Sequence, residues 1–326
     1  MLTIKQNLLE TIKGGKPDRF VNSYEYLELM WAAPVLGAAC GVPGQIVKNQ
    51  WGVTMQWPEG QPGAFPVHGN DKVIKDIENW KDYISMPNVT YSEADWAAAV
   101  AHANSVDRNE KFVTAIYFYG IFEQTHFMMG MEDALMAFYE EPEAMHELID
   151  FIVEHEIATA KEYFKYIKPD ALFHHDDWGS QLSTFLSPEM FAEFLLPAYK
   201  KLYGFWKDNG VEIIVHHADC YAATLVPFMI EMGIDIWQGV MSSNNIPELI
   251  EKYGSQITFM GGIDDGKIDR AEWSPELVAA EVEKVCRENG TKFFIPGMTS
   301  GTPASVFENV NVTVGKEIER MSREMF

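Results

Sequence analysis

The stretch Lys168-Pro169-Asp170-Ala171-Leu172-Phe173-His174-His175-Asp176-Asp177-Trp178-Gly179-Ser180-Gln181 reads as a short buried strand that empties, with no spacer, into two histidines and two aspartates. The apolar run is residues 171–173. Burying ionisable groups without partners costs several kcal/mol. The cluster therefore reads as a catalytic or metal-binding rim, against the alternative of a solvated loop with one satisfied histidine.

Downstream of this stretch the same unit recurs. A helix ends at a glycine, a strand follows, and polar residues sit at the strand's far end. Gly210 precedes residues 212–215 and then His216-His217; Gly233 precedes 234–237 and Gln238. Gly254 precedes 257–260 and Gly261-Gly262-Ile263-Asp264; Gly290 precedes 292–295 and Gly297-Met298-Thr299-Ser300. Glycine is favoured there because the residue past a helix end commonly needs positive φ.

Upstream, residues 2–13 have helical spacing and stop at Gly14-Gly15, and 20–22 form a candidate first strand. Residues 92–109, 132–139 and 142–167 read as helices and 111–117 as a strand. Ser187-Pro188-Glu189 opens a helix that runs to Asn209-Gly210, kinked at Pro197. Strands are thus expected near residues 20, 112, 171, 213, 235, 258 and 293, with an eighth in the 28–90 region or just after Phe118.

Strands and helices alternating in this rhythm mean parallel strands. The expected fold class is α/β, a single-domain (β/α)8 TIM barrel over residues 1–326 with its active site at the C-terminal strand ends. A doubly wound sheet is the alternative, but no glycine-rich phosphate fingerprint follows the first strand. Residues 28–90, rich in tryptophan, proline and glycine, read as a long insertion near the barrel mouth that either covers a pocket with aromatics suited to a flat substrate or packs those aromatics against the barrel.

Net charge is −23, from 25 basic and 48 acidic residues. Such a surface repels nucleic acid and anionic membranes, and favours a neutral or cationic small substrate or a basic protein partner. No apolar run approaches the roughly 20 residues of a membrane span, and the N-terminus lacks a signal-peptide layout. A soluble, cytoplasmic protein is expected. Three distant cysteines, Cys40, Cys220 and Cys286, exclude a disulfide framework and fit a reducing compartment. Cys40 and Cys286 read as inert.

In a barrel, His174, His175, Asp176 and Asp177 converge with His216, His217, Asp219 and Cys220, and with Gln238 and Asp264. Imidazole, carboxylate and thiolate make a candidate Zn²⁺ set, or act as general acid and base without metal. Neighbours on a strand point to opposite faces, so one of His216 and His217, and one of His174 and His175, faces the interior. The spacing His216-x-x-x-Cys220 is a weak metal signal. Nucleophile elbow, P-loop and paired CxxC motifs are absent from the sequence.

Several short blocks, in order and spacing, resemble the uroporphyrinogen decarboxylase superfamily over nearly the whole chain. They are Gly15-Lys16-Pro17-Asp18-Arg19, His175-Asp176-Asp177-Trp178-Gly179-Ser180-Gln181, Ser187-Pro188-Glu189-Met190-Phe191 with Leu196-Pro197, and His216. Gly261-Gly262-Ile263-Asp264 and Thr302-Pro303 with Glu308-Asn309-Val310 complete the set. The resemblance implies a (β/α)8 barrel. The family's decarboxylases bind a polyanionic porphyrinogen through an arginine-rich N-terminal segment. This chain has six arginines, and Arg19 is the sole one before residue 100, so the resemblance is to the corrinoid-dependent methyltransferase branch.

The zinc methyltransferases of that branch use a His-x-Cys pair and a later cysteine after a glycine. Here His216 matches the histidine, while Ala218 and Met298 stand at the two cysteine positions, which counts against a thiol acceptor. What the resemblance implies is an O-demethylase component. It moves a methyl group from an O-methyl (methoxyaromatic-type) substrate to Co(I) of a corrinoid on a separate partner protein. On this reading His216 and Asp177 stand near the leaving oxygen with His175 as second donor. Tyr24, Tyr117 and Trp178 wall the pocket, Gln238 and Asp264 contact substrate, and any zinc sits on His216 with Cys220, or with a carboxylate or histidine of residues 174–177. The alternatives are methyl transfer from a methylcorrinoid to a thiol or pterin, and a non-catalytic corrinoid- or tetrapyrrole-binding module.

Overall fold

The computed structural model describes residues 1–37, 43–61, 63–67, 69 and 71–326. Cys40 lies outside the described residues. The strands are β1 (Leu27–Leu29), β2 (Ile46–Lys48), β3 (Thr54–Gln56), β4 (Phe65–Pro66), β5 (Phe112–Tyr117), β6 (Ala171–His175), β7 (Ile213–His217), β8 (Ile236–Val240), β9 (Thr258–Ile263) and β10 (Phe294–Met298). The α-helices are α1 (Ile4–Lys13), α2 (Glu93–Ser105), α3 (Ile121–Met129), α4 (Met131–Glu140), α5 (Pro142–Tyr166) and α6 (Pro188–Asp208). They continue with α7 (Val226–Met232), α8 (Ile246–Tyr253), α9 (Asp265–Ile268), α10 (Pro275–Asn289) and α11 (Val310–Met325).

Seven strands pair in the order β1-β5-β6-β7-β8-β9-β10, all parallel, and the sheet curls into the α/β barrel architecture. Alternate strand residues separate two cores. Phe112, Ile116, Ala171, Phe173, Ile213, Val215 and Met260 pack inside the curl. Val113, Ala115, Leu172, Ile214, Trp237 and Phe259 pack outward against the helices. Both rows are apolar because helices cover a sheet of this kind on its outer face while the curl fills its inner one.

The first strand differs from the sequence reading. Residues 20–24 do not join the ladder, because Ser23 has φ +51° and Glu25 N–H turns back to the Asn22 carbonyl at 3.1 Å. The segment instead lies along β10: Tyr24 Oη donates to the Ser300 carbonyl at 2.8 Å, which bridges the seam between β1 and β10. An eighth strand does not join this sheet among the described residues. Within the 28–90 segment, residues 28–29 belong to β1 of the parallel sheet and residues 46–66 form a separate antiparallel sheet, β2-β3-β4, while α3 begins immediately after Phe118-Tyr119-Gly120.

Local signals explain the helix starts. Ser187 caps α6 by accepting Met190 N–H at 3.2 Å, and Ser274 caps α10 by accepting Leu277 N–H at 3.2 Å. Proline at the first helical position follows each cap. Gly233 has φ +86°, as a helix terminator requires, whereas Gly254 has φ −53°. A Cβ on Gly254 would fall 2.6 Å from the Ile250 carbonyl, so that glycine serves close packing. No helix among the described residues is long and apolar enough to cross a membrane.

Candidate active site

Parallel register sets His174 beside His216 and His175 beside His217. Continuing the inner apolar rows by two residues carries Phe173 to His175 and Val215 to His217, so these two meet inside the curl, their rings 4.5 Å apart. Asp177, just past β6, joins them. One ligand-type atom from each of His175, Asp177 and His217 lies within 4.8 Å of the others.

The shell behind this trio sets its chemistry. Gln238 Nε2 donates to the Met298 and Ser300 carbonyls at 3.4 and 3.1 Å, so its Oε1 must accept from His217 Nδ1–H, at 2.5 Å. This leaves the Nε2 lone pair of His217 available, the tautomer a metal ligand needs. Gly301 closes on the same ring, where a Cβ would lie 3.0 Å from Nε2. Asp177 Oδ1 accepts Asp219 N–H at 2.8 Å, and its Oδ2 is 3.7 Å from His175 Nε2. Glu123 Oε2 stands 3.2 Å from that nitrogen, and Asp219 Oδ2 is 4.0 Å from His217 Nε2.

Three carboxylates therefore crowd two imidazoles. Burial, reinforced by Asp177 and Asp176, raises the Glu123 carboxyl well above its ordinary range; burial and the Asp177 charge do the same to Asp219. Burial pushes the His175 and His217 imidazoles down, His217 to about 4. Buried Glu123 Oε2 and His175 Nδ1 form no hydrogen bond among the described residues. Two neutral imidazoles and a carboxylate, with further carboxylates repelling one another beside them, are a donor set that suits zinc or another divalent cation.

The trio opens into a cavity of about 540 Å³. Its walls include Phe118, Tyr119, Phe127 and Phe185 from the barrel, and Trp31, Trp57 and Phe65 from the 28–90 segment. Tyr119 Oη donates to the Ala64 carbonyl at 2.9 Å, tying that segment over the mouth.

Other residues singled out in the sequence lie elsewhere. His216 is fully buried on the outer face, with Nδ1 2.6 Å from Tyr203 Oη, Nε2 3.1 Å from the Asp176 carbonyl, and the Trp178 ring stacked at 4.0 Å. The inward i, i+2 pair is His217-x-Asp219, one residue along from the His216-x-Ala218 register. Cys220 is buried and is not a member of the converging trio, and both ring nitrogens of His216 are engaged by Tyr203 and the Asp176 carbonyl. Tyr117 bonds His155 Nδ1 at 3.0 Å on the outer face, and Trp178 donates to Asp176 Oδ2 at 3.1 Å. Neither lines the cavity. Tyr24 borders a separate cleft of about 440 Å³ at the seam, and Asp264 pairs with Lys267 at 3.0 Å. Gln238 sits behind His217 and not on the cavity wall.

The outer layer is a buried polar network. His174 Nε2 is 2.8 Å from Glu156 Oε2, with burial driving both toward neutrality, His174 down to about 3. His155 is likewise pushed down to about 4 by burial. Its folded value lies below the unfolded 6.5, so the unfolded chain takes up the proton first as pH falls. Stability associated with His155 is intact above pH 6.5 and declines toward pH 4. Between pH 6.5 and 5 wild type is expected to lose about 2 kcal/mol more than His155→Gln, read from urea unfolding at both pH values. Equal losses would place His155 in a wetter environment.

Among curated proteins none matches the chain by sequence. By structure, a methyltransferase from Methanosarcina mazei matches with a TM-score of 0.67 and 14% identity, covering 98% of this chain and 99% of its own. A D-allulose 3-epimerase from Methylomonas sp. matches at a TM-score of 0.37 and 10% identity over 72% of this chain and 94% of its own, too low to indicate a common fold. The uroporphyrinogen decarboxylase (URO-D) family matches residues 46–315, which takes in β2 through the first turns of α11. With that match over most of its length and with this barrel, the chain belongs to the uroporphyrinogen decarboxylase family.

Proposed function

We propose that the protein is a corrinoid-dependent methyltransferase that takes a methyl group from an O-methyl, methoxyaromatic-type substrate and delivers it to Co(I) of a corrinoid on a separate protein. The observation that carries this reading is the convergence of His175, Asp177 and His217 at the floor of an aromatic cavity. The likeness in fold to a methyltransferase supports it.

In this reaction the methyl–oxygen bond breaks with its electron pair left on oxygen, and the cobalt electron pair forms the new bond to carbon. The oxygen then needs a proton or a Lewis acid. A divalent cation held by His175, Asp177 and His217 supplies the Lewis acid when bound. Glu123, kept protonated to higher pH by burial and neighbouring carboxylates, holds a proton for the departing oxygen. Trp31, Phe118 and Tyr119 orient the flat ring so that its methyl group faces the mouth, an alignment worth several kcal/mol of barrier.

The test is anaerobic mixing with chemically reduced cob(I)alamin and a panel of methoxylated aromatics, followed by visible spectroscopy. The expected result is conversion to methylcobalamin with at least one donor, retained in Cys220→Ala along with bound zinc. A panel without any conversion by zinc-loaded protein would remove the O-demethylase reading.

A further inference from the structure

We propose that the cleft at the seam between β1 and β10 is a side passage into the catalytic cavity, by which a methoxyarene enters and its phenol leaves while the corrinoid protein covers the mouth. The inference rests on the methyltransferase reading above and deepens it. Elsewhere the wall of the curl is sealed by strand pairing, but β1 and β10 share no ladder among the described residues. Side chains bridge the seam instead: Tyr24 Oη donates to the Ser300 carbonyl at 2.8 Å and Ser23 Oγ to the Pro296 carbonyl at 3.5 Å.

The seam cleft of about 440 Å³ and the catalytic cavity of about 540 Å³ have two lining residues in common, Trp31 and Thr302. Both stand where a partition can move. Trp31 is 46% exposed, its ring stacked on Phe118 at 5.9 Å and its indole N–H donating to nothing among the described residues. Rotating that ring gives up a single ring stack and no hydrogen bond. Thr302 lies midway along a loop held at both ends. Asp265 accepts the Thr299 and Ser300 N–H groups at 2.9 and 2.8 Å, and Asp269 those of Val306 and Phe307 at 2.7 and 2.8 Å. Between these anchors the N–H groups of Gly301, Thr302 and Ala304 form no hydrogen bond among the described residues. A short span without such bonds opens locally at lower cost than the paired elements around it.

The cleft suits such a passenger. Leu27, Leu29, Met298, Val312 and Val314 give it apolar wall, and Glu28 is paired with Lys111 and His102, each at 2.9 Å. In-line transfer places the ether between the trio on the floor and cobalt at the mouth, so the phenol is left beneath the corrin. A route through the seam lets it leave without the partner undocking.

The experiment reads ligand exchange with the mouth covered. Fluorine NMR lineshapes give the dissociation rate of 4-fluoro-2-methoxyphenol from zinc-loaded protein, with and without excess hydroxocobalamin, whose cobalt(III) lacks the electron pair that takes a methyl group. In wild type the corrin should change this rate by less than about twofold. Val312 is 49% exposed and lines the cleft but not the cavity, so Val312→Trp, or Val312→Cys carrying N-phenylmaleimide, plugs the passage. Cys220 and Cys286 are buried, and maleimide-treated wild type controls for labelling elsewhere. In the plugged proteins hydroxocobalamin should slow association and dissociation together by at least about 10-fold. Trapping of the ring by the corrin in wild type overturns the proposal, as do equal rates with and without corrin in the plugged proteins. Slowing of dissociation alone, or no binding of the ring, also overturns it. The cob(I)alamin assay decides the methyltransferase reading separately, because it reads methyl transfer whichever opening the ether uses.

Discussion

Replacing His217 with alanine is expected to lower methyl transfer to cob(I)alamin by about 10²- to 10⁴-fold, the range for losing a group that acts on the reacting atoms. The same change should abolish stoichiometric zinc binding, because His217 is the imidazole whose tautomer Gln238 locks with Nε2 toward the cavity. Gln238→Ala leaves the ligand in place but frees its ring, and a loss of 10- to 100-fold in metal affinity is the usual size for such a partner. His216→Ala behaves differently. It empties the space between Trp178, stacked at 4.0 Å, and His174, and strands Tyr203 Oη and the Asp176 carbonyl. A cost of about 2–4 kcal/mol in unfolding free energy follows. Zinc binding should survive wherever His216→Ala is folded. Zinc binding lost in His216→Ala and kept in His217→Ala would reverse the assignment of inner and outer faces.

Asp176→Ala is expected to be the most destabilising single substitution near the site. The carboxylate accepts Phe122 N–H at 2.9 Å, Glu123 N–H at 2.7 Å, Trp178 Nε1–H at 3.1 Å and the Tyr199 hydroxyl, all in the buried interior. Two of these donors are among the free N–H groups in the first turn of α3, where a helix N-terminus best holds a negative group. Stranding buried donors costs about 1–3 kcal/mol each, so a loss of more than about 4 kcal/mol is expected from urea unfolding. Burial nonetheless lifts the Asp176 carboxyl to about 6 against these hydrogen bonds. The folded state therefore holds its proton longer than the unfolded chain, and this group's contribution to stability declines as pH rises from about 4 to about 6. Loss of less than about 1 kcal/mol in Asp176→Ala would mean that α3 is anchored by its packing alone. Activity should fall further than stability accounts for, because α3 carries Glu123 into the cavity.

Much of this architecture is legible in the residues. The strands near 112, 171, 213, 235, 258 and 293 all occur, and polar groups at their C-terminal ends do gather at one mouth. Helix α3 was not legible. All nine of its residues, Ile121 to Met129, are buried, so it lacks the polar face that makes helical periodicity readable. Glu123 escaped notice for the same reason, standing in a segment with no pattern to place it. The strand expected at residues 20–22 was misplaced because alternation alone does not reveal the positive φ at Ser23.

From the sequence alone come the repeated strand–helix order, the parallel sheet, the end of the barrel where histidines and carboxylates gather, and the acidic character of the chain. Tertiary structure decided which member of each histidine pair belongs to the site. Both faces of these strands are buried, one within the curl and one beneath the helices, so both rows read as apolar and neither announces itself as inner. A shift of one residue exchanges every side chain between faces. His174 and His216 thereby hold the sheet to its helices, and His175 and His217 are left for the cavity, because only the closed curl distinguishes inside from outside.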